Sequence, residues 1–262
     1  MNMTMVRCRT AAGLLVIAAT AAGCDSSSSA KPDASDGGEP TDSPGPRATT
    51  WSGFVYEGKV GPDGGSVPIG GAKVCLLDHP EVACAVTDSL GAYSMTLPLP
   101  DGSGLYAVTF AAPGHLGYTT PGGDGFWPSG VGLYLDGWAT DLSMAAGFTY
   151  PAQGTAFVAV RLLREQGGGL SGATVTLSSA AAKGPVYENV MFMPDPSLPS
   201  TSLRGIAWFG NVTPGEFTVT VNSPVAPCTT LDITGLWPAV GPDTVKAEVG
   251  ADTIAKIDII CR

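Results

Sequence analysis

The sequence predicts an all-β protein, on three observations. Gly (36) and Pro (22) punctuate a chain of 262 residues, and both interrupt helices while favouring turns. Val, Thr, Tyr, Phe and Trp recur in short runs, the composition of a pleated, half-buried surface. Past residue 23 no stretch sustains a helical period. Hydrophobic residues make up 44%, ample for a packed core, and charged residues only 14%, against about a quarter in ordinary domains.

The chain opens on an address. Residues 1–10 carry Arg7 and Arg9 with no acid, and residues 11–23 are apolar. That run is too short to span a bilayer and has the length of a signal-peptide core. It ends in Ala21-Ala22-Gly23-Cys24, which resembles the bacterial lipobox. The resemblance implies cleavage before Cys24 and lipidation of its thiol. Asp25 follows, as in an inner-membrane retention signal, but that rule is not general and the membrane stays open. Residues 25–50 contain no aliphatic residue larger than Ala and cannot bury enough surface to fold. As a flexible tether, they reach about 25–30 Å root-mean-square. The expected location is the cell envelope, lipid-anchored on the extracytoplasmic side.

Charge and cysteines narrow the chemistry. The formal net charge is −10, and loss of Arg7 and Arg9 with the signal peptide leaves −12. This excludes a nucleic-acid partner, whose phosphates demand Lys and Arg, and a polybasic grip on anionic lipid. With Cys8 removed and Cys24 lipidated, Cys75, Cys84, Cys228 and Cys261 remain, an even set in an oxidising compartment. Three pairings are possible. A hairpin turning at Asp78–Glu81 sets Cys75 opposite Cys84, which leaves Cys228–Cys261 to staple the last strand to the second half. Zinc would need tighter spacing and more histidine than His79 and His115, both in predicted turns, supply. No metal or cofactor is expected.

Two halves of the folded region echo each other. Gly53–Val60 corresponds to Gly154–Arg161, and Ile69–Leu76 to Leu170–Leu177 at the same offset. Further on, Thr87–Tyr93 answers Thr201–Ala207, and Gly104–Phe110 answers Gly215–Val221, with an insertion over 179–200 in the second copy. Gly71-Ala72 and Gly172-Ala173 precede alternating strands, while Gly91 and Gly205 lie where turns require positive φ. A Gly-Ala-x-Val strand, a Thr-Asp-x-x-Gly-x-Tyr turn and a closing Gly-x-Tyr-x-Val-x-Phe strand together resemble a carboxypeptidase regulatory-like domain. The resemblance covers 51–112 and, more weakly, 153–222, where Ser202 replaces the acid. It implies a transthyretin-like (or Ig-like) Greek-key β-sandwich of about seven strands in each half. The expected organisation is a signal peptide (1–23), lipidated cysteine and linker (24–50), and two tandem sandwiches (51–149 and 150–262).

No catalytic machinery is legible. His79-Pro80-Glu81 has the wrong spacing for a zinc peptidase, and two histidines leave little for a Ser-His-Asp or Cys-His arrangement. The regulatory-like domain is itself the non-catalytic partner in such enzymes. The densest unexplained stretch runs from Tyr118 through Phe126 and Trp127 to Trp138. In a turn-rich segment these rings read either as a ligand platform near Asp124 or Asp136 or as a cap folded onto the sandwich. Asp124 lacks the alternating ligands of a calcium loop. The expected function is a non-catalytic structural or protein-interaction module, docking another envelope protein through loops or an edge strand. The alternative is a polysaccharide-binding lipoprotein using the 118–138 aromatics.

Overall fold

The computed structural model describes residues 48–58, 66–98, 105–123, 127–151, 153–224, 227–230 and 237–262. The predicted signal peptide, Cys24, nearly all of the linker, Asp124 and Phe126 lie outside these residues. The described residues form one compact unit, mostly β and sandwich-like.

In the first half the strands are β1 (Ala48–Glu57), β2 (Val67–Pro68), β3 (Lys73–Leu76), β4 (Ala85–Val86), β5 (Ala92–Pro98), β6 (Leu105–Ala111), β7 (His115–Gly123) and β8 (Gly130–Leu135), followed by α1 (Asp136–Ala146). The second half has β9 (Ala156–Arg164), β10 (Thr174–Leu177), β11 (Lys183–Glu188), β12 (Pro194–Asp195), β13 (Ile206–Val212), β14 (Gly215–Asn222), β15 (Cys228–Thr230), β16 (Ala239–Gly241), β17 (Thr244–Val249) and β18 (Thr253–Cys261). Strand β1 runs antiparallel to β5 and parallel to β8. Strand β9 does the same with β13 and β18. On the facing layer β6 lies between β3 and β7, as β14 lies between β10 and β17.

The repeat blocks fall on these matching strands, and one hydrogen-bonded knot recurs. Buried Thr87 accepts the Ala72 N–H at 2.9 Å through its hydroxyl, and buried Thr201 accepts the Ala173 N–H at 3.0 Å. Each Thr N–H returns to the same alanine's carbonyl at 2.9 Å. Gly91 and Gly205 have φ of 75° and 70°, and their carbonyls accept from Val55 and Leu162 at 2.8 and 2.7 Å. A Cβ on Gly91 would meet the Val55 carbonyl oxygen at 2.3 Å, and one on Gly205 that of Leu162 at 2.2 Å. Only glycine fits such an approach.

One predicted correspondence is shifted. Phe54 faces Ala92, and its counterpart Arg161 faces Ile206, so Gly53 matches Val160 and not Gly154. The cause is loop length: Val55 to Ile69, joined by a backbone bond, spans 14 residues, whereas the equivalent Leu162 to Leu170 spans 8. A constant offset could not register that insertion.

The helix is the second departure. Ala139, Leu142, Ser143 and Ala146 are buried on one side of α1, at the spacing of a helical stripe. Gly147, at φ 72°, ends it by donating to Met144 and Ser143. Eleven residues with Gly137 near the start are too few for a sustained period.

The core forms three clusters. Val55, Val74, Leu97, Phe110 and Leu133 lead the first half, and Val158, Val160, Leu162, Val219 and Ile257 the second. Burying each large side chain contributes about 1.5–3 kcal/mol. The third, with Leu116, Ala139, Leu142, Phe157, Trp208 and Ile254, lies where α1 covers the outer side of β9 and β18. Strand β9 is therefore buried on both faces over Ala156–Val160. Where β18 also pairs in parallel with β7, through Thr253–Ala255 and Gly117–Thr119, the sheet runs from one half into the other.

Both disulfides match the spacing argument. Cys75 and Cys84 are bonded, with Cα atoms 4.4 Å apart, just beyond the Val74–Ala85 pair of the β3–β4 hairpin. Cys228 and Cys261 face each other across β15 and β18 and are bonded, Cα atoms 3.9 Å apart.

Candidate functional site

The sequence-predicted aromatics part company in the structure. Trp127 turns inward: its ring lies 4.0 Å from that of Trp51 and 6.3 Å from that of Tyr93, against the first-half core. Tyr118 on β7 and Trp138 on α1 instead gather at the outer side of the sheet. Trp138 stacks on Tyr134 at 4.3 Å and meets Trp208 edge-on at 6.0 Å.

Cross-strand register builds the rest of this cluster. Lys256 of β18 places its ammonium 4.4 Å from the Tyr134 ring centre and 5.8 Å from that of Tyr118, and donates to the Tyr134 hydroxyl. Two residues on, Asp258 lies opposite Arg161 of β9 and accepts from its Nε at 2.9 Å and from its Nη2 at 2.5 Å. That bond raises the Arg161 pKa, while burial and then the Asp258 charge raise that of the Tyr118 phenol. The side chains are thus spoken for, and what they offer is a partly buried aromatic shelf edged by an ion pair.

A second surface lies in the 179–200 insertion. Between β11 and β12, Val190, Met191, Phe192 and Met193 are 58%, 75%, 62% and 48% exposed. Soluble surfaces rarely present four such residues in succession. The tip is held firmly. The Asn189 side chain accepts from the Met191 and Met193 N–H groups at 2.9 and 3.2 Å, and the Asn189 N–H donates to the Met193 carbonyl at 2.9 Å. Phe192 sits at φ 67°, a left-handed conformation that costs a bulky residue of order 1 kcal/mol or more. Arg204 lies over its ring at 3.6 Å and donates to Glu188 at 3.2 Å. Buried Glu188 also accepts from the Trp208 indole at 3.2 Å, which ties tip to sheet. Sequence reasoning treated 179–200 as an insertion; the Val-Met-Phe-Met run was the available signal.

Neither surface carries recognisable catalytic groups. His79 pairs with exposed Glu81 at 2.9 Å in the first hairpin, and that hydrogen bond lowers the Glu81 pKa. His115, expected in a turn, opens β7 and bonds the Pro113 carbonyl through Nδ1 at 2.9 Å. Among the described residues no three of His, Cys, Asp and Glu converge as a metal site.

No family model matches the chain, and no curated protein sequence matches it. Among solved structures, it is similar to the Bacillus anthracis TIE protein over 86% of its own length and 41% of that chain, at 13% identity and a TM-score of 0.28. A streptococcal ancillary pilin aligns over 82% of this chain and 69% of its own, at 11% identity and a TM-score of 0.27. BcpA, the major pilin subunit of Bacillus cereus, aligns over 74% and 56%, at 11% identity and a TM-score of 0.22. The chain spans about two-fifths of the first of these proteins. TM-scores of this size lie below what a shared fold requires.

Proposed function

We propose that this chain is an exported, lipid-anchored envelope protein that works as a non-catalytic protein-interaction module, its docking element being the Val190–Met193 tip. The observation that carries the reading is the exposure of four consecutive apolar side chains on a backbone locked by Asn189. Aromatic residues, Met and Arg are the types enriched at interface cores, and a preformed loop loses less freedom on docking. The signal segment, the lipobox-like Ala21–Cys24 and the tether supply the anchor, and two disulfides fit an oxidising compartment. The recurring threonine knot supports kinship of each half with regulatory-like sandwiches.

The test is a cross-linked pull-down from the native envelope with wild type beside Phe192→Ala and Trp138→Ala. A defined protein partner recovered by wild type and Trp138→Ala but lost with Phe192→Ala supports the reading. Equal recovery by all three refutes the role of the tip. The stacked Tyr134–Trp138 pair favours a second reading, in which a sugar ring lies on that shelf; polysaccharide lost only with Trp138→Ala would place it first.

A further inference from the structure

One backbone edge that is covered in the second half lies open in the first. Strand β5 pairs with β1 through seven consecutive residue pairs without a register shift. Gly91, just before it, turns its carbonyl to Val55 of β1, so by alternation Tyr93, Met95 and Leu97 bond to β1. Ala92, Ser94 and Thr96 present their backbone groups to the other side. Ala92 is occupied there, donating to the Asp88 carboxylate at 2.9 Å and accepting the Asp88 N–H at 2.9 Å. The N–H and carbonyl groups of Ser94 and Thr96 meet no strand, since among the described residues β5 pairs only with β1.

The second half shows what belongs at this edge. With Gly205 matched to Gly91, Trp208 and Gly210 of β13 are the counterparts of Ser94 and Thr96. Both are paired, Trp208 with Val186 and Gly210 with Lys183 of β11, a strand of the insertion that the first half lacks. The β5 edge also lacks the devices that keep sheet edges apart, which are brevity, charge and bulges. It runs from Ala92 to Pro98 with no charged side chain, whereas β4, β12 and β16, at the ends of their sheets, have two, two and three residues. Tyr93, Met95 and Leu97 are buried and Ser94 and Thr96 exposed, so an incoming strand meets open backbone and hydroxyls.

We propose that the β5 edge pairs with the β5 edge of a second copy of this chain, antiparallel about a two-fold axis at Met95. Ser94 of each copy then stands opposite Thr96 of the other, and every open N–H and carbonyl on both edges is bonded. Sliding the pairing by two residues loses this. One direction sets Thr96 against Ala92, whose groups are taken, and the other sets Ser94 against Pro98, which has no N–H. Identical edges meet without like-charge repulsion because neither carries a charge, and a two-fold contact closes as a dimer. So narrow a pairing falls short of a standard interface and gains from proximity. On the anchoring proposed above, the tether ends at Ala48, opposite Pro98. The two entry points then lie roughly 20–25 Å apart, so both anchors reach one membrane, which raises the effective concentration.

Two differently tagged full-length copies, co-expressed in the native host, test the pairing. Capture through one tag is expected to recover the other copy, and at least tenfold less of it when both copies carry Ser94→Pro or Thr96→Lys. The first removes an N–H that β1 does not use and the second charges the edge at an exposed side chain. Both are expected to melt like wild type; should Ser94→Pro melt lower, Thr96→Lys decides. Oxidative cross-linking reads the register. Ser94→Cys in one copy with Thr96→Cys in the other should give at least tenfold more linked dimer than Ser52→Cys in both, on the same exposed face but one strand inward. Copies that do not co-purify, capture undiminished by Thr96→Lys, or a cross-link from position 94 to a different protein overturns the proposal. Phe192→Ala is expected to self-associate as wild type does, and membrane fractionation reports the anchor separately. Failure of this pairing is thus distinct from failure of the docking tip or of the anchor.

Discussion

Glu248 on β17 is an acid placed where ionisation is costly. Burial first, then a hydrogen bond to Asp78 and the charges of Asp78 and Glu216, push its pKa up to about 7, with Lys246 opposing. Asp78 belongs to the first-half hairpin turn, so the pair joins the two halves. Between the ordinary value of 4.5 and about 7 the folded protein holds a proton that the unfolded chain has released. Stability is therefore greatest below the lower value and falls as pH rises through the upper one. The full difference corresponds to about 3 kcal/mol; because Glu248 is partly exposed, solvent screening leaves about 1–2 kcal/mol. Glu248→Gln removes the ionisation but keeps a hydrogen-bonding side chain. Urea unfolding of both proteins at about pH 5 and about pH 8 measures the effect. The expectation is near-equal stability at the lower pH and a variant more stable by about 1–2 kcal/mol at the higher. A wild-type-to-variant difference that is the same at both pH values refutes the reasoning.

Other expectations are shorter to state. Gly205→Ala forces a Cβ to 2.2 Å from the Leu162 carbonyl at φ 70° and should cost at least about 2 kcal/mol in chemical denaturation, whereas Gly154→Ala, with open space around its Cβ position, should cost about 1 kcal/mol or less. Replacing Cys228 and Cys261 together by Ser opens a link across a sequence separation of 33 and should cost about 3–4 kcal/mol in thermal unfolding. Cys24→Ser should move the protein from the membrane pellet to the soluble fraction of fractionated cells while leaving its melting curve unchanged.

Where the fold was legible, the signal was local and backbone-driven. The Gly-Ala and Thr…Gly blocks could be read because the threonine knot requires those residues. The cysteine pairs could be read because hairpin register sets Cys75 against Cys84. The shift of β1 against β9 was hidden by the longer connection after Val55, since a sequence echo records composition and not register. The surfaces were hardest. Trp127 and Trp138 look alike in sequence, yet only the return of the chain from β8 into α1 sends one inward to Trp51 and the other out to Tyr134.

The parallel pairing of β9 with β18 has a consequence for biogenesis. Arg161 and Asp258 are 97 positions apart, so one edge of β9 waits for a partner made much later, as β1 waits for β8. Until then each strand offers a row of unpaired backbone groups, the template on which nascent chains aggregate, and such distant pairings form slowly. The Cys228–Cys261 bond, which spans β15 and β18 themselves, would then act as a latch, closing only after the late strand has docked.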